Sequence, residues 1–496
     1  MKQLYPLCLF LLFLASCKKD DLPHTVYENA SSFEMLSTLS VGKAGAAEIS
    51  AFDPLTKKLF VVTNAGTSRI DVVDLSQPAQ PKLTEAIDIL PYGSMVNSVS
   101  VHNGLLAAAV EGAAKTDPGK VVLFRTNDYA MVKQVAVGAL PDMLTWSPDG
   151  KFILTANEGE PNDAYTIDPV GSVSLISVKN NFSVTNLDFS AFASKKAALM
   201  EKGLRMFGPG ASFIQDMEPE YLTVSSDSKT AWVTLQENNA IARIDLNARR
   251  VTGMFPLGFK EYSVPANGID PSDRDGLIAL KPWKVRGMYQ PDAIAVLEDK
   301  GVPYLFTANE GDVREWSGFA ENKRVKDLAL NPASFPDAAL KGDALLGRLN
   351  VTTTLGDINN NGDYEMLFSF GARSFSVWNG NNGQQLFDSG NELEQKAIAA
   401  GFYDDGRSDD KGVEPEGLTL GRVGNRNIVF VGLERADALA IYDVSQPDQP
   451  RFIKMLQTGD APEGITFIPA KESPVGRSLV VVSSENDGTL KIYSTK

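Results

Sequence analysis

Histidine and cysteine are nearly missing from this chain of 496 residues, which holds two of each. The cysteines, Cys8 and Cys17, both lie in the N-terminal segment. The body therefore carries no thiol nucleophile, no disulfide and no thiolate metal site. His24 falls in what reads as a tether. His102 ends the alternating stretch Ser98-Val99-Ser100-Val101-His102, where a lone strand histidine is read as structural. No Gly-x-Ser-x-Gly elbow is present, and a Ser-His-Asp mechanism has nothing to stand on. Chemistry has to come from carboxylates, arginines, hydroxyls or a bound metal. Positive charge is also scarce. The formal net charge of -15 argues against nucleic acid, because phosphate binding needs clustered Lys and Arg. It favours cations, or else it is the acidity many exported proteins carry for solubility.

Long apolar runs are confined to the start. Met1-Lys2 is positive, and Leu4 to Ala15 is apolar but too short to span a bilayer comfortably. The run ends in Leu14-Ala15-Ser16-Cys17, which resembles the lipobox of bacterial lipoproteins. That resemblance implies cleavage before Cys17 and acylation of the cysteine; the alternative is an ordinary secretory signal. Lys18-Lys19-Asp20-Asp21 resembles the charged leader of surface-directed lipoproteins in the Bacteroidetes group. The expected organisation is a signal peptide over 1–16, a lipidated tether over 17–32 and one domain over 33–496. The membrane partner is the outer membrane, on its periplasmic or its outer side.

What is abundant is repetition. Ala156-Asn157-Glu158-Gly159-Glu160 returns as Ala308-Asn309-Glu310-Gly311-Asp312, and each copy follows a Pro-Asp pair and a strand-like run. Asp74-Leu75-Ser76-Gln77-Pro78 returns near the other end as Asp443-Val444-Ser445-Gln446-Pro447. Units of short alternating strands recur along the body, and 41 Gly and 27 Pro supply the turns between them. Four short antiparallel strands make one propeller blade, and self-similar ends suggest one closed ring. The prediction is an all-β propeller of seven or eight four-stranded blades. It carries a helical insertion at Leu187 to Phe207 and mixed or irregular ones at Phe259 to Tyr289 and Val313 to Lys341. Glu365 to Phe370 and Ser374 to Trp378 read as an abbreviated sixth unit. The stretch Leu59-Phe60-Val61-Val62-Thr63-Asn64 resembles YVTN-type repeats.

Aligned, the units place an acid at two points. First strands open with Glu48, Asn97, Asp142, Glu220, Asp292, Glu416 and Glu463. Second strands end near Asn64, Glu111, Glu158, Glu237, Glu310, Glu434 and Glu485. The separation is 16 residues for Asp142/Glu158, 17 for Glu220/Glu237, and 18 for Asp292/Glu310 and Glu416/Glu434. Around a propeller channel such positions form rings. Crowded carboxylates need cations or raised pKa values, and Ca2+ is the natural oxygen-seeking partner. The other reading is that acidic turn residues bond exposed backbone N–H groups. Two further runs alternate oxygen ligands and end on glycine: Asp270, Asp273 and Asp275 before Gly276, and Asp357, Asn359 and Asn361 before Gly362. The second resembles the start of an EF-hand loop but has Phe368 where the twelfth-position acid belongs. Asx-rich turns without metal are the alternative for both.

Longer motifs carry a family resemblance. Gln290-Pro291-Asp292-Ala293-Ile294-Ala295, Leu346-Gly347-Arg348-Leu349, Gly371-Ala372-Arg373-Ser374-Phe375-Ser376-Val377-Trp378, and Glu414-Pro415-Glu416-Gly417 with Gly432-Leu433-Glu434-Arg435 resemble the choice-of-anchor I domain of exported bacterial proteins. The likeness runs from roughly Ser40 to Ser494. It implies a propeller attached to the cell, here through Cys17, acting as a binding or interaction module for a protein or small molecule. Some members are labelled alkaline phosphatases, so a calcium-dependent phosphoric-ester hydrolase is the alternative, with Arg373, Arg407 or Arg435 clamping an oxyanion. Lactonase-like hydrolysis rests on fold analogy alone. The chain is expected to be a monomer.

Overall fold

The computed structural model describes residues 28–496. Cys17, His24, the expected signal peptide and the expected tether up to residue 27 lie outside the described residues. Seven four-stranded antiparallel sheets make up the body. Their first strands are Ala46–Asp53, Val96–His102, Pro141–Trp146, Pro219–Val224, Ile294–Asp299, Pro415–Val423 and Pro462–Ile468. Each first strand touches the next, and the seventh returns to the first. The result is a closed, propeller-like ring with its first strands innermost. Among the described residues no helix is long and apolar enough to cross a membrane.

Second strands such as Phe152–Asn157 and Leu479–Ser484 are buried almost throughout. They sit between neighbouring sheets and are covered on both faces, so they read as apolar runs instead of alternating ones. A separate apolar cluster fills each of the seven junctions. Phe60 and Val72 meet Val99 and Phe124 between the first two sheets. Trp232 and Ile241 meet Ile294 and Trp378 between the fourth and fifth. At about 1.5–3 kcal/mol for each fully buried large apolar side chain, stability is spread around the ring and not held in one core.

The ring closes with both ends of the chain. The seventh sheet is Pro462–Ile468, Leu479–Ser484 and Thr489–Ser494, with Glu34–Ser40 as its outer strand. Glu34 pairs with Ser494 and Ser40 with Thr489. The packed body starts before Phe33, the boundary the sequence suggests. Glu28 is buried, and its carboxylate accepts from the Ser478 N–H (2.6 Å), Ser478 Oγ (2.9 Å) and Thr495 Oγ1 (2.6 Å). Part of the expected tether is therefore structural.

The abbreviated sixth unit is not a blade of its own. Ser374–Asn379 pairs with Val302–Asn309, and Gln385–Asp388 pairs outside it, completing the fifth sheet after a long insertion. Only Phe368–Ser369 is strand within Glu365 to Phe370. It joins Phe259–Glu261, Arg286–Met288, Asn350–Thr352 and Asn322–Arg324 in one five-stranded side sheet. The two insertions read as separate thus fold together around Tyr262, Val285, Leu346 and Leu367. The helical insertion is short, a 3-10 turn at Ser190–Lys195 running into Lys196–Met200.

Every long insertion leaves from the end of the sheets where first strands begin and second strands finish. That end also carries the acids.

Candidate metal centre in the channel

The first ring is built by a repeated local device. In six sheets the pairing of first and second strands slips at the ring residue. The slips fall between Ala46 and Ser50, Val96 and Ser98, Pro141 and Leu144, Pro219 and Leu222, Pro415 and Leu418, and Pro462 and Ile465. An irregularity of this kind re-aims the side chain it contains. Asn97, Asp142, Glu220, Asp292, Glu416 and Glu463 line one central cavity with Glu310, in about 620 Å³ of open space. No positively charged residue is among its lining. Glu48 stands beside them, held by Asn64 Nδ2 at 2.7 Å.

The second ring is tied to the first through the backbone. The N–H groups of Glu111, Glu158, Glu434 and Glu485 donate to the carbonyls of Met95, Leu140, Glu414 and Ala461, each two residues ahead of a first-ring residue. That bond explains the near-constant spacing in the sequence. The repeated asparagine has another task. Thr155 and Thr307 donate to Asn157 and Asn309, whose amides donate to Ser172 and Ser174 in one copy and Ser374 and Ser376 in the other. They fasten the second strand to the third.

Burial raises the acids first, and neighbouring carboxylates raise them further. Glu48 is pushed up to about 8, beside Glu485. Asp142 reaches about 7, beside Glu160 and Glu111. Glu434 reaches about 8, beside Glu310 and Glu414. Glu220, Asp292, Glu416 and Glu463 are held well above the ordinary carboxylate range. Protein surrounds these four, and they keep part of their exposure only because they face the cavity.

Among the described residues, three groups of carboxylates bring ligand oxygens within 4.8 Å of one another: Glu158–Glu218–Glu237, Asp292–Glu310–Glu416 and Glu310–Glu414–Glu434. Oxygen-only, anionic sets of this kind fit a hard divalent ion such as Ca2+. The sequence reading missed Glu218 and Glu414, although both stand in the same Glu-Pro-Glu triplet ahead of a first strand. It also passed over Glu160 and Asp312, the acids that close the two near-copies. Asp312 is pushed up to about 8 by burial and by Glu237. Two buried cations were missed too. Arg314 pairs with Asp216 and with Glu218 (2.7 Å). Lys411 pairs with Glu310 and with Glu414 (3.0 Å).

The other predicted site residues lie elsewhere. Arg373 is 1% exposed, and its terminal nitrogens are spent on Glu394 and the carbonyls of Asp270, Ser408 and Asp410. It is enclosed, with only its Nε left unpartnered, and does not reach the central cavity. Arg407 and Arg435 both reach Glu414, Arg407 at 2.5 Å and Arg435 at 3.6 Å, beside a second cavity that also takes in Asp437 and Asp460. The two oxygen-rich loops are turns. Asp270 accepts from Ser272 and Ala279, Asp273 pairs with Arg348, and Asp275 accepts from Leu277. Asp357 caps Asn361 and Gly362, Asn359 bonds Glu365, and Asn361 accepts from Asp363. Backbone amides and side-chain partners hold these oxygens, and they converge on no common point. His102 stacks on Trp146 at 5.4 Å, a structural role as expected.

A closed ring of antiparallel sheets around an acid-lined cavity defines a propeller-like protein with a candidate cation channel. The chain belongs to the choice-of-anchor I family, whose domain matches residues 48–447. Among curated proteins it is similar to gigasin-3a of Magallana gigas, 28% identical over 192 residues, covering 32% of this chain and 67% of that one. It is also similar to the mesenchyme-specific cell surface glycoprotein of Strongylocentrotus purpuratus, 29% identical over 282 residues. That match covers 47% of this chain but only 36% of the sea-urchin protein. Among solved structures it resembles the hydrazine synthase of Kuenenia stuttgartiensis, at a TM-score of 0.49 and 13% identity over 92% of this chain and 96% of that one. It also resembles the WD40 domain of Toxoplasma gondii coronin, at a TM-score of 0.47 and 9% identity over 94% and 86%.

Proposed function

We propose that the chain is a seven-bladed binding propeller, held at the outer membrane by a lipid on Cys17, whose channel takes a divalent cation, calcium foremost. The observation that carries the cation reading is the central cavity, lined by five first-ring carboxylates and Glu310 with no positive group among them. Like charges this close cannot all stay ionised without a counter-ion or protons. The long insertions gathered over the same face give a partner, protein or small molecule, a broad surface above the ion. The sea-urchin relative is named as a cell surface glycoprotein, in keeping with an extracytoplasmic role here. A strongly acidic chain has no use for nucleic acid as a partner.

Calorimetric titration of calcium into chelator-stripped protein tests the reading. Saturable, stoichiometric binding is expected. Heats no larger than dilution, at pH 6 through 9, would remove the cation from the proposal and leave the acids as turn and proton-holding groups.

A further inference from the structure

The three converging acid groups differ in what already serves them. Two share Glu310, and a cation of the chain itself, Lys411, is bound to that shared carboxylate. Lys411 Nζ bonds Glu310 Oε1 and the Gly311 carbonyl (2.7 Å), and it lies 3.0 Å from Glu414 Oε2. Its side chain is 11% exposed. A lysine ammonium is a compact point charge that seeks oxygen, much as a metal ion does. Glu414 is further served by Arg407 and Arg435, and Gln236 Nε2 donates to the remaining oxygen of Glu310 at 3.0 Å.

The third group is filled differently. Arg314 reaches only one oxygen of Glu218, and the rest of its guanidinium is turned to Asp216. Glu218 Oε1 and Glu237 Oε2 receive no hydrogen bond from the protein, although their residues are 1% and 2% exposed; in the Asp292–Glu310–Glu416 group only Glu416 Oε2 is left so, on a half-buried residue. Their partner in the group is Glu158. Lys115 does not reach this group, because its ammonium is held by Glu160 at 2.8 Å. Buried carboxylate oxygens without donors are costly unless a cation or a proton lies between them.

We propose that Glu158, Glu218 and Glu237 form the single tight divalent-cation site of the channel, and that Lys411 is a built-in counter-ion that keeps the Glu310 groups from taking a second ion. The inference rests on the cation-binding reading above, and it moves the tight ion from the central cavity, whose lining holds none of these three acids, to a neighbouring group with a stoichiometry of one. Removing Lys411 frees oxygens of Glu310 and Glu414 that already converge with those of Glu434, so the channel gains a site.

The test is equilibrium calcium binding to chelator-stripped full-length protein, by flow dialysis and calorimetry. The unsubstituted protein is expected to hold one ion tightly. Glu218→Gln and Glu237→Gln each weaken it by about 100-fold or more, since the loss of even a group that only supports a ligand costs about 10–100-fold. Glu310→Gln weakens it by less than about 10-fold, and Lys411→Met takes up a second ion. Circular dichroism melts confirm that each variant is folded. Should Lys411→Met unfold, the comparison of Glu218→Gln with Glu310→Gln decides alone. Tight binding that survives Glu218→Gln, or that Glu310→Gln abolishes, overturns the proposed site while the channel reading stands. A folded Lys411→Met that still takes one ion overturns the counter-ion role. An unsubstituted protein that binds no calcium overturns this inference and the channel reading together.

Discussion

At the residue scale the channel sets a pH dependence whose direction follows from its carboxyls. Glu48, Glu434 and Asp312 titrate near 8 in the folded chain and Asp142 near 7, all above the ordinary carboxylate range. The folded state therefore holds more protons than the unfolded state between about pH 4.5 and 8. Their contribution to stability is complete below the unfolded values and is lost as pH rises through the folded ones. In chelator, the melting temperature is expected to fall by roughly 5 °C or more between pH 5 and 8.5. Calcium is expected to restore it, by a margin that grows with pH. Differential scanning fluorimetry across that range checks both, and a flat profile in chelator would show that the acids stay paired without protons. Most of this chemistry was legible from residue type and spacing. Glu48, Asp142, Glu220, Asp292, Glu416 and Glu463 stand out because an acid recurs where each first strand opens. Arg373 shows the limit of that reading: a guanidinium in a family motif reads as a ligand clamp, and only the fold reveals that it is enclosed with its terminal nitrogens already bonded. Lys411 and Arg314 were hidden for the same reason, since they come from insertions that follow no period.

At the element scale the first strands carry the architecture of the site, and their glycines show how close they run. Gly417 and Gly464 each follow a ring acid. A Cβ on Gly417 would lie 1.9 Å from the Glu463 carbonyl oxygen, and one on Gly464 would lie 2.4 Å from that of Glu48. Backbone cannot move aside as a side chain does. Gly417→Ala is expected to cost about 2–3 kcal/mol, read from urea unfolding, because it forces two innermost strands apart. It should also weaken calcium binding, since Glu416 and Glu463 move with those strands. The strand pattern was readable wherever a unit was contiguous. The fifth sheet misled because its second and third strands, Val302–Asn309 and Ser374–Asn379, are separated by an insertion with strands of its own. A pairing across that distance leaves no trace in local periodicity, so the far half of the sheet passes for another unit. The slipped pairing at six of the ring residues was invisible too, although Pro141, Pro219, Pro415 and Pro462 mark where four of the slips fall.

At the scale of the whole molecule, ring closure makes the seven sheets one body, with an apolar cluster at every junction and both chain ends in the last sheet. The proposed attachment through Cys17 can be examined by a substitution outside the described residues. Cys17→Ala is expected to move the protein from the membrane pellet to the soluble fraction and to abolish incorporation of labelled palmitate, while its melting curve stays as it was. Retention in the pellet with no label would point to anchoring by a partner. The closing strand has a mechanical consequence. If the chain is held through the proposed lipid on Cys17, any pull reaches first the buried Glu28 contacts and then Glu34–Ser40, the outermost strand of the last sheet. Tension on the tether would load the latch of the ring before any other part. If that latch gives way, the circle opens at one place, and whatever ion the acids hold loses its cage in the same event.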